Sequence, residues 1–317
     1  MSAKFQKYKV KRLLLTMAVF NAAASPALVI GEDYIAAGET PKHIQTKNAE
    51  LSLEIETLDR ELDDATLGYK PQMLVGQHFT ISTEVEIAGS GTAGTAPVYN
   101  DLIKICAFSE TVNPGTDVQY EQLDDDSWPD ATIYFYHAGR NHKVLGAQAN
   151  VSVAVANGAL PTYTLTITGT YGGVLKEAMP TPSFNQLKPV KVGNQYTTFT
   201  LDGSEYALIN YSSDQNNEVN YTDLPGYEGV SIDDIAPEGE IEILVPDHSD
   251  FDPFAIVNSE AEVFLPFSLQ HGTTAGNIVT FSNPELQILG VGYGEFEGKR
   301  TFVMPYGAIG KNKITVS

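Results

Sequence analysis

Between His78 and Ala88 apolar and polar residues alternate. Phe79, Ile81, Val85 and Ile87 fall on one side, interrupted only by Thr83; Thr80, Ser82, Glu84 and Glu86 fall on the other. A period of two predicts an antiparallel strand with one buried face and one wet, acidic face. Gly89, Gly91 and Gly94 follow, and Pro97 opens a run in which Val98, Leu102, Ile105 and Cys106 share a side of a short helix. The strand is therefore expected to end in a flexible loop that lays a helix across its apolar face. Upstream, Leu51, Leu53 and Ile55 alternate with Ser52, Glu54 and Glu56, which predicts a second strand of the same kind. The charged connection over 59–77 joins the two into a β-ribbon, and a loop of that length usually has a job of its own.

Residues 109–130 are rich in turn formers. Residues 132–155 predict a hairpin turning near Ala138–Asn141 and then a strand on Val151, Val153 and Val155; the run TYTLTITGTY closes the unit near Gly172. Pro180, Pro182 and Pro189 mark 173–198 as an interdomain connection. The order then repeats. A strand at 218–224 leads through a loop to GEIEILVPD at 239–247, Pro253 precedes a short apolar stretch, a second hairpin follows with His271 where the first has His137, and KRTFVMPYGA answers TYTLTITGTY. Matched order at low identity predicts a duplicated domain: an arm and linker over 1–48, a first domain over 49–180 and a second over 181–317.

The net charge is −21, and five of the 19 bases (Lys4, Lys7, Lys9, Lys11 and Arg12) precede the first acid, Glu32, which leaves 14 bases against 40 acids. Such a body repels nucleic-acid phosphates, which excludes binding through a basic patch. The single cysteine, Cys106, excludes a disulfide framework and fits a small buried hydrophobe. The N-terminus, basic then apolar then small, imitates a signal peptide. Thr16 and Asn21 interrupt an apolar run too short to span a bilayer, so a basic arm packing on a neighbour is the preferred expectation.

Gly89-Ser90-Gly91-Thr92-Ala93-Gly94 spells G-x-G-x-x-G, but the preceding strand carries Glu84 and Glu86 where a dinucleotide site needs a buried parallel strand. Asp247-His248-Ser249-Asp250 sets triad letters side by side, and adjacent residues cannot converge on one substrate atom. His137 and His142 lack a third metal ligand, and Asp124–Asp126 lacks the glycine and distal glutamate of a calcium loop. No catalytic residue, metal or cofactor is expected, and the protein is not expected to be an enzyme. What remains is patterned acidity: Glu54 and Glu56, Glu84 and Glu86, Glu240 and Glu242, Glu260 and Glu262 each sit at i, i+2 with apolar alternates. Strands with such faces and open edges invite pairing with other subunits.

Residues 49–172 resemble the major tail proteins that build the tail tube of long-tailed bacteriophages. The resemblance rests on ELSLEIETLDRE, on the Gly-Ser-Gly-x-x-Gly-x-x-Pro run into a short apolar helix, on YFYHAGRNHKVLGAQANV and on YTLTITGTYGG. The second half departs more, keeping the order of elements and the final GKRTFVMPYG. The resemblance implies a mainly β fold of two tandem β-sandwich or barrel domains, each with a short flanking helix, whose ribbons join those of other copies into a closed barrel around a channel. It implies homotrimeric, pseudo-hexameric rings stacked into a tube, other tail proteins as partners, transient non-specific passage of genomic DNA, and no membrane partner. The location implied is the virion tail, assembled in the host cytoplasm. Glu54, Glu56, Glu84, Glu86, Glu240, Glu242, Glu260 and Glu262 would then face the lumen, and Lys7, Lys9, Lys11, Arg12, Arg60, Asp63 and Asp64 would serve contacts between rings. A secreted or periplasmic β-sandwich binding module is the alternative, entered through the signal-like N-terminus.

Overall fold

The computed structural model describes residues 14–19, 32–60, 68–124 and 128–317; Lys7, Lys9, Lys11, Arg12, Asp63 and Asp64 lie outside them. Alternation and turn residues divide the chain into β1 (Leu14–Val19), β2 (Lys42–Ile44), β3 (Lys47–Asp59), β4 (Gln72–Glu86), α1 (Asn100–Lys104), β5 (Phe108–Asn113), β6 (Asp117–Gln122), β7 (Ala131–His137), β8 (Arg140–Ala156) and β9 (Thr162–Lys176). There follow β10 (Thr197–Leu201), β11 (Ser204–Glu205), β12 (Leu208–Asp214), β13 (Asn217–Leu224), β14 (Tyr227–Ile235), β15 (Glu238–Leu244), α2 (Pro253–Val257), β16 (Leu265–His271), β17 (Val279–Ile288), β18 (Gly292–Phe296), β19 (Lys299–Ala308) and β20 (Lys313–Val316). The protein is mainly β. All strands but β13 and β14 join one large antiparallel sheet; those two form a hairpin of their own.

The same run of pairings occurs twice. In the first half β3 pairs β4, β4 pairs β9, β9 pairs β8 and β8 pairs β7. In the second, β12 pairs β15, β15 pairs β19, β19 pairs β17 and β18, and β17 pairs β16. The sheet crosses between them where β12 takes the edge of β8 from Ser152 to Ala156, beyond the stretch that β7 occupies. Among the described residues no circuit of pairings closes, so no barrel forms within the chain.

Both halves share one apolar core. Phe79, Ile81, Tyr163, Leu165 and Ile167 from the first pack in the same cluster as Tyr211, Phe281, Met304 and Tyr306 from the second. Rings meet across the seam: Tyr163 lies edge-on to Phe281 at 6.1 Å, and Phe281 in turn faces Tyr211 at 6.3 Å. The alternating residues expected to be buried on β4 are buried, and Cys106 is buried as expected, with its thiol pushed well above its ordinary pKa by burial and then by Asp214. The helix begins at Asn100 rather than Pro97, and it is enclosed on more than one side, since Asn100, Asp101 and Ile103 are buried with Leu102.

Several expectations are corrected. The connection over 59–77 is shorter, because Gln72–Gly76 extends β4 and Thr57–Asp59 extends β3. Residues 109–130 hold the β5–β6 hairpin, turned at Pro114-Gly115, rather than turns alone. The loop expected between the strands at 218–224 and 239–247 is largely strand: β14 occupies most of it and returns against β13 through Pro225-Gly226, making a second ribbon. Glu260 and Glu262 do not sit on a strand. They lie exposed in the coil between α2 and β16, because β16 does not start until Leu265.

Candidate functional site: an acidic sheet face

Residues directly opposite one another in an antiparallel ladder project to the same side. One row reads Lys47, Glu84, Thr164, Ser152, Asp214 and Glu238 across β3, β4, β9, β8, β12 and β15. The next reads Glu86, Thr162, Ala154, Ser212, Glu240 and Pro305, reaching β19. Glu54 and Glu56 lie opposite His78 and Gly76, which places them on the same side as Glu84 and Glu86. Six of the eight expected carboxylates (Glu54, Glu56, Glu84, Glu86, Glu240 and Glu242) therefore share one face of one sheet spanning both halves. Alternation within each strand signals this much. That the two halves present the same face is fixed by the β8–β12 pairing, which no local pattern shows.

The face is acidic and hydroxylated. Threonines occupy every second position of β9 from Thr162 to Thr170; Thr162, Thr164 and Thr166 are open, while Thr168 and Thr170 are buried. Its carboxylates are tied to neighbours: Glu54 accepts from Ser52 Oγ at 2.6 Å, Glu84 from Asn48 Nδ2 at 3.0 Å and Glu242 from Thr301 Oγ1 at 2.6 Å, while Glu86 pairs with Lys47. Asp214, missed in the sequence, accepts from Asn150 Nδ2 at 2.7 Å across the β8–β12 seam. The next residues along, Gln215 and Asn217, continue the seam: Gln215 N donates to Val151 O, and buried Asn217 Nδ2 donates to the carbonyls of Cys106 and Ala149, both at 2.9 Å.

The two ribbons lie in different surroundings. The β13–β14 ribbon lies against β8 and β9, where Tyr221 stacks on His78 at 4.6 Å and Ile232 is 4% exposed. The outer half of the β3–β4 ribbon has no such cover: Leu53, Ile55, Leu58, Met73, Leu74 and Val75 are all exposed, Leu74 to 69%. Arg60, from the expected inter-ring set, follows the last residue of β3 and is exposed. At the other end of the sheet the base of the arm is clamped. Tyr34 Oη donates to both oxygens of Asp130 at 2.9 and 2.8 Å, and Asp33 pairs with Lys143 at 2.6 Å and accepts from Tyr134 Oη. Burial works to raise the Asp33 carboxyl, but the bonds from Lys143, Ala36 N and Tyr134 outweigh it and hold it below the ordinary value.

The glycine loop after β4 binds the other half of the chain. Gly89 N donates to Asn277 Oδ1 at 2.7 Å and Gly91 N to Gly276 O at 2.8 Å. Asp247–Asp250 is a turn closed by Asp250 N on Asp247 O. Among the described residues no three His, Cys, Asp or Glu side chains gather as a metal site, and no helix is long and apolar enough to cross a membrane. A 540 Å³ cleft beside β10–β12 carries one carboxylate, Glu205, and so offers no acid/base pair. No protein-family model and no curated protein matches the chain.

Proposed function

We propose that the protein is a structural subunit of a bacteriophage tail tube, assembling through its sheet edges into rings around a channel that conducts DNA. The two runs of strand pairing are then two tandem tube domains, each with its short helix, α1 or α2. The observation that carries this reading is the sheet itself: one face on which carboxylates and hydroxyls from both halves lie side by side, with a ribbon at one margin whose apolar residues lie bare. Apolar surface of that extent on a projecting ribbon marks a contact surface, and exposed strand edges are satisfied by pairing with further strands. Two domains per chain make three copies sufficient for six-fold pseudosymmetry.

The mechanism is passive. Carboxylates and hydroxyls on the lumen face repel or weakly solvate phosphates, so DNA slides without being held. Screening limits the repulsion to about 8–10 Å at moderate salt, which makes the charges effective in a narrow pore and negligible on an open surface. Assembly proceeds in the host cytoplasm and the product resides in the virion, with other tail proteins as partners. Replacing Glu54, Glu56, Glu84 and Glu86 with lysine tests the reading: assembly persists and DNA ejection is impaired, whereas unchanged infectivity removes the lumen assignment.

A further inference from the structure

We infer that the free edge of β3 in one copy pairs antiparallel with the free edge of β18 in the next, with Leu51 opposite Tyr293. This rests on the tube reading and names the contact that would build the ring. Among the described residues the chain already makes one junction of this kind within itself. The edge of β8 from Ser152 to Ala156 is taken by β12, the first strand of the second run of pairings. The strand in the position of β12 in the first run is β3, which pairs only β4; the strand in the position of that part of β8 in the second run is β18, which pairs only β19. Each copy therefore offers one edge of each kind among its described residues.

The register follows from the ladders. Ile87 N bonds Pro161 O at the end of the β4–β9 ladder as Val245 N bonds Arg300 O at the end of the β15–β19 ladder, so Phe302 answers Tyr163. Tyr163 lies opposite Val153 and Val85, and Phe302 lies opposite Tyr293 and Ile243, so Tyr293 stands where Val153 stands. Gly239, four residues before Ile243, lies opposite Ser213; Ile81, four before Val85, lies opposite Leu51. Ser213 pairs Val153, so Leu51 pairs Tyr293, Ser52 pairs Gly292 and Glu50 pairs Gly294. The chemistry agrees. Tyr293 extends an aromatic group with Phe254 and Phe302, at 5.6 and 5.5 Å, yet is 64% exposed where Val153 is 8% exposed. Leu51 would cover it. A slip by one residue would set Tyr293 against the acidic row. The outer β3–β4 ribbon is then carried over the second half of the neighbour, as β13–β14 lies over β8 and β9 within the chain. Because the two edges differ, the contact is head to tail, which builds closed rings or open filaments rather than two-fold dimers.

The test uses Ser52→Cys with Gly292→Cys in the full chain; Gly292 has room for a Cβ, and Cys106 is buried. Directly opposed antiparallel residues have Cα atoms about 4.5–5.5 Å apart, within disulfide range. Mild oxidation of concentrated protein should give a covalent ladder on non-reducing gels, ending at the ring size, in the double variant and in neither single variant. Rings visible by electron microscopy with no ladder would overturn this pairing and leave the tube reading standing. A double variant and wild type that both remain monomeric at every concentration would overturn both.

Discussion

Gly89 and Gly276 touch so closely that a Cβ on Gly89 would lie 2.1 Å from the Gly276 carbonyl oxygen. The G-x-G-x-x-G letters thus serve backbone contact between the two halves. Gly89→Ala must push two loops apart, and overpacking of this kind costs about 1–3 kcal/mol or more. Gly193→Ala is the control, since nothing lies within 4 Å of its added methyl and its φ is not left-handed. Equilibrium denaturation should show a large loss for the first and a change near zero for the second; equal effects would contradict a close-approach role.

Asn217 Nδ2 satisfies two backbone carbonyls at the root of the second ribbon. Asn217→Ala leaves both without that donor in a buried position, which costs about 1–3 kcal/mol. The readout is the melting temperature together with faster amide exchange in β13 and β14. A variant as stable as wild type would show the seam is not held there.

Burial depresses the pKa of His142 and His271 below their ordinary 6.5, despite opposing bonds to the carbonyls of Phe135 and Val190. As pH falls through 6.5 the unfolded chain takes up protons before the folded one does, so stability falls with it and is fully present above that value. Denaturation at pH 7.5 and 5.5 should show the loss. Replacing both histidines with asparagine should flatten the difference between the two conditions; an unchanged slope would place its origin elsewhere.

What was legible in the sequence followed from period. The alternation over Phe79–Ile87 and over Leu51–Glu56 sets which faces are buried, and the hairpin turn needs left-handed backbone at Ala138 and Gly139, the second of which a glycine supplies. Two kinds of element escaped. β5 and β6 are short and rich in polar residues, and β14 carries Gly229, Asp233 and Asp234, so few apolar positions mark a period; Val230 and Ile232 in β14 owe their burial to the sheet beneath them. Glu260 and Glu262 alternate over too few residues to distinguish strand from coil. Of the site, the acidic rows were visible strand by strand. Their union on one face, and the part played by Asp214, depended on β12 reaching β8 from far along the chain.

The charge on that face should govern contact with DNA. Assembled wild-type material should show no retention of duplex DNA in a gel-shift assay, while lysine at Glu54, Glu56, Glu84 and Glu86 should cause retention that 0.5 M salt removes, since that ionic strength shortens the screening length to roughly 4–5 Å. No retention by the lysine variant would place these side chains away from the path of the nucleic acid.

The central claim is self-assembly around a hole. Negative-stain electron microscopy of the purified, concentrated protein tests it most directly. Rings or tubes with a central, stain-filled channel are the expected result; compact single particles without a channel, at every concentration, would contradict it.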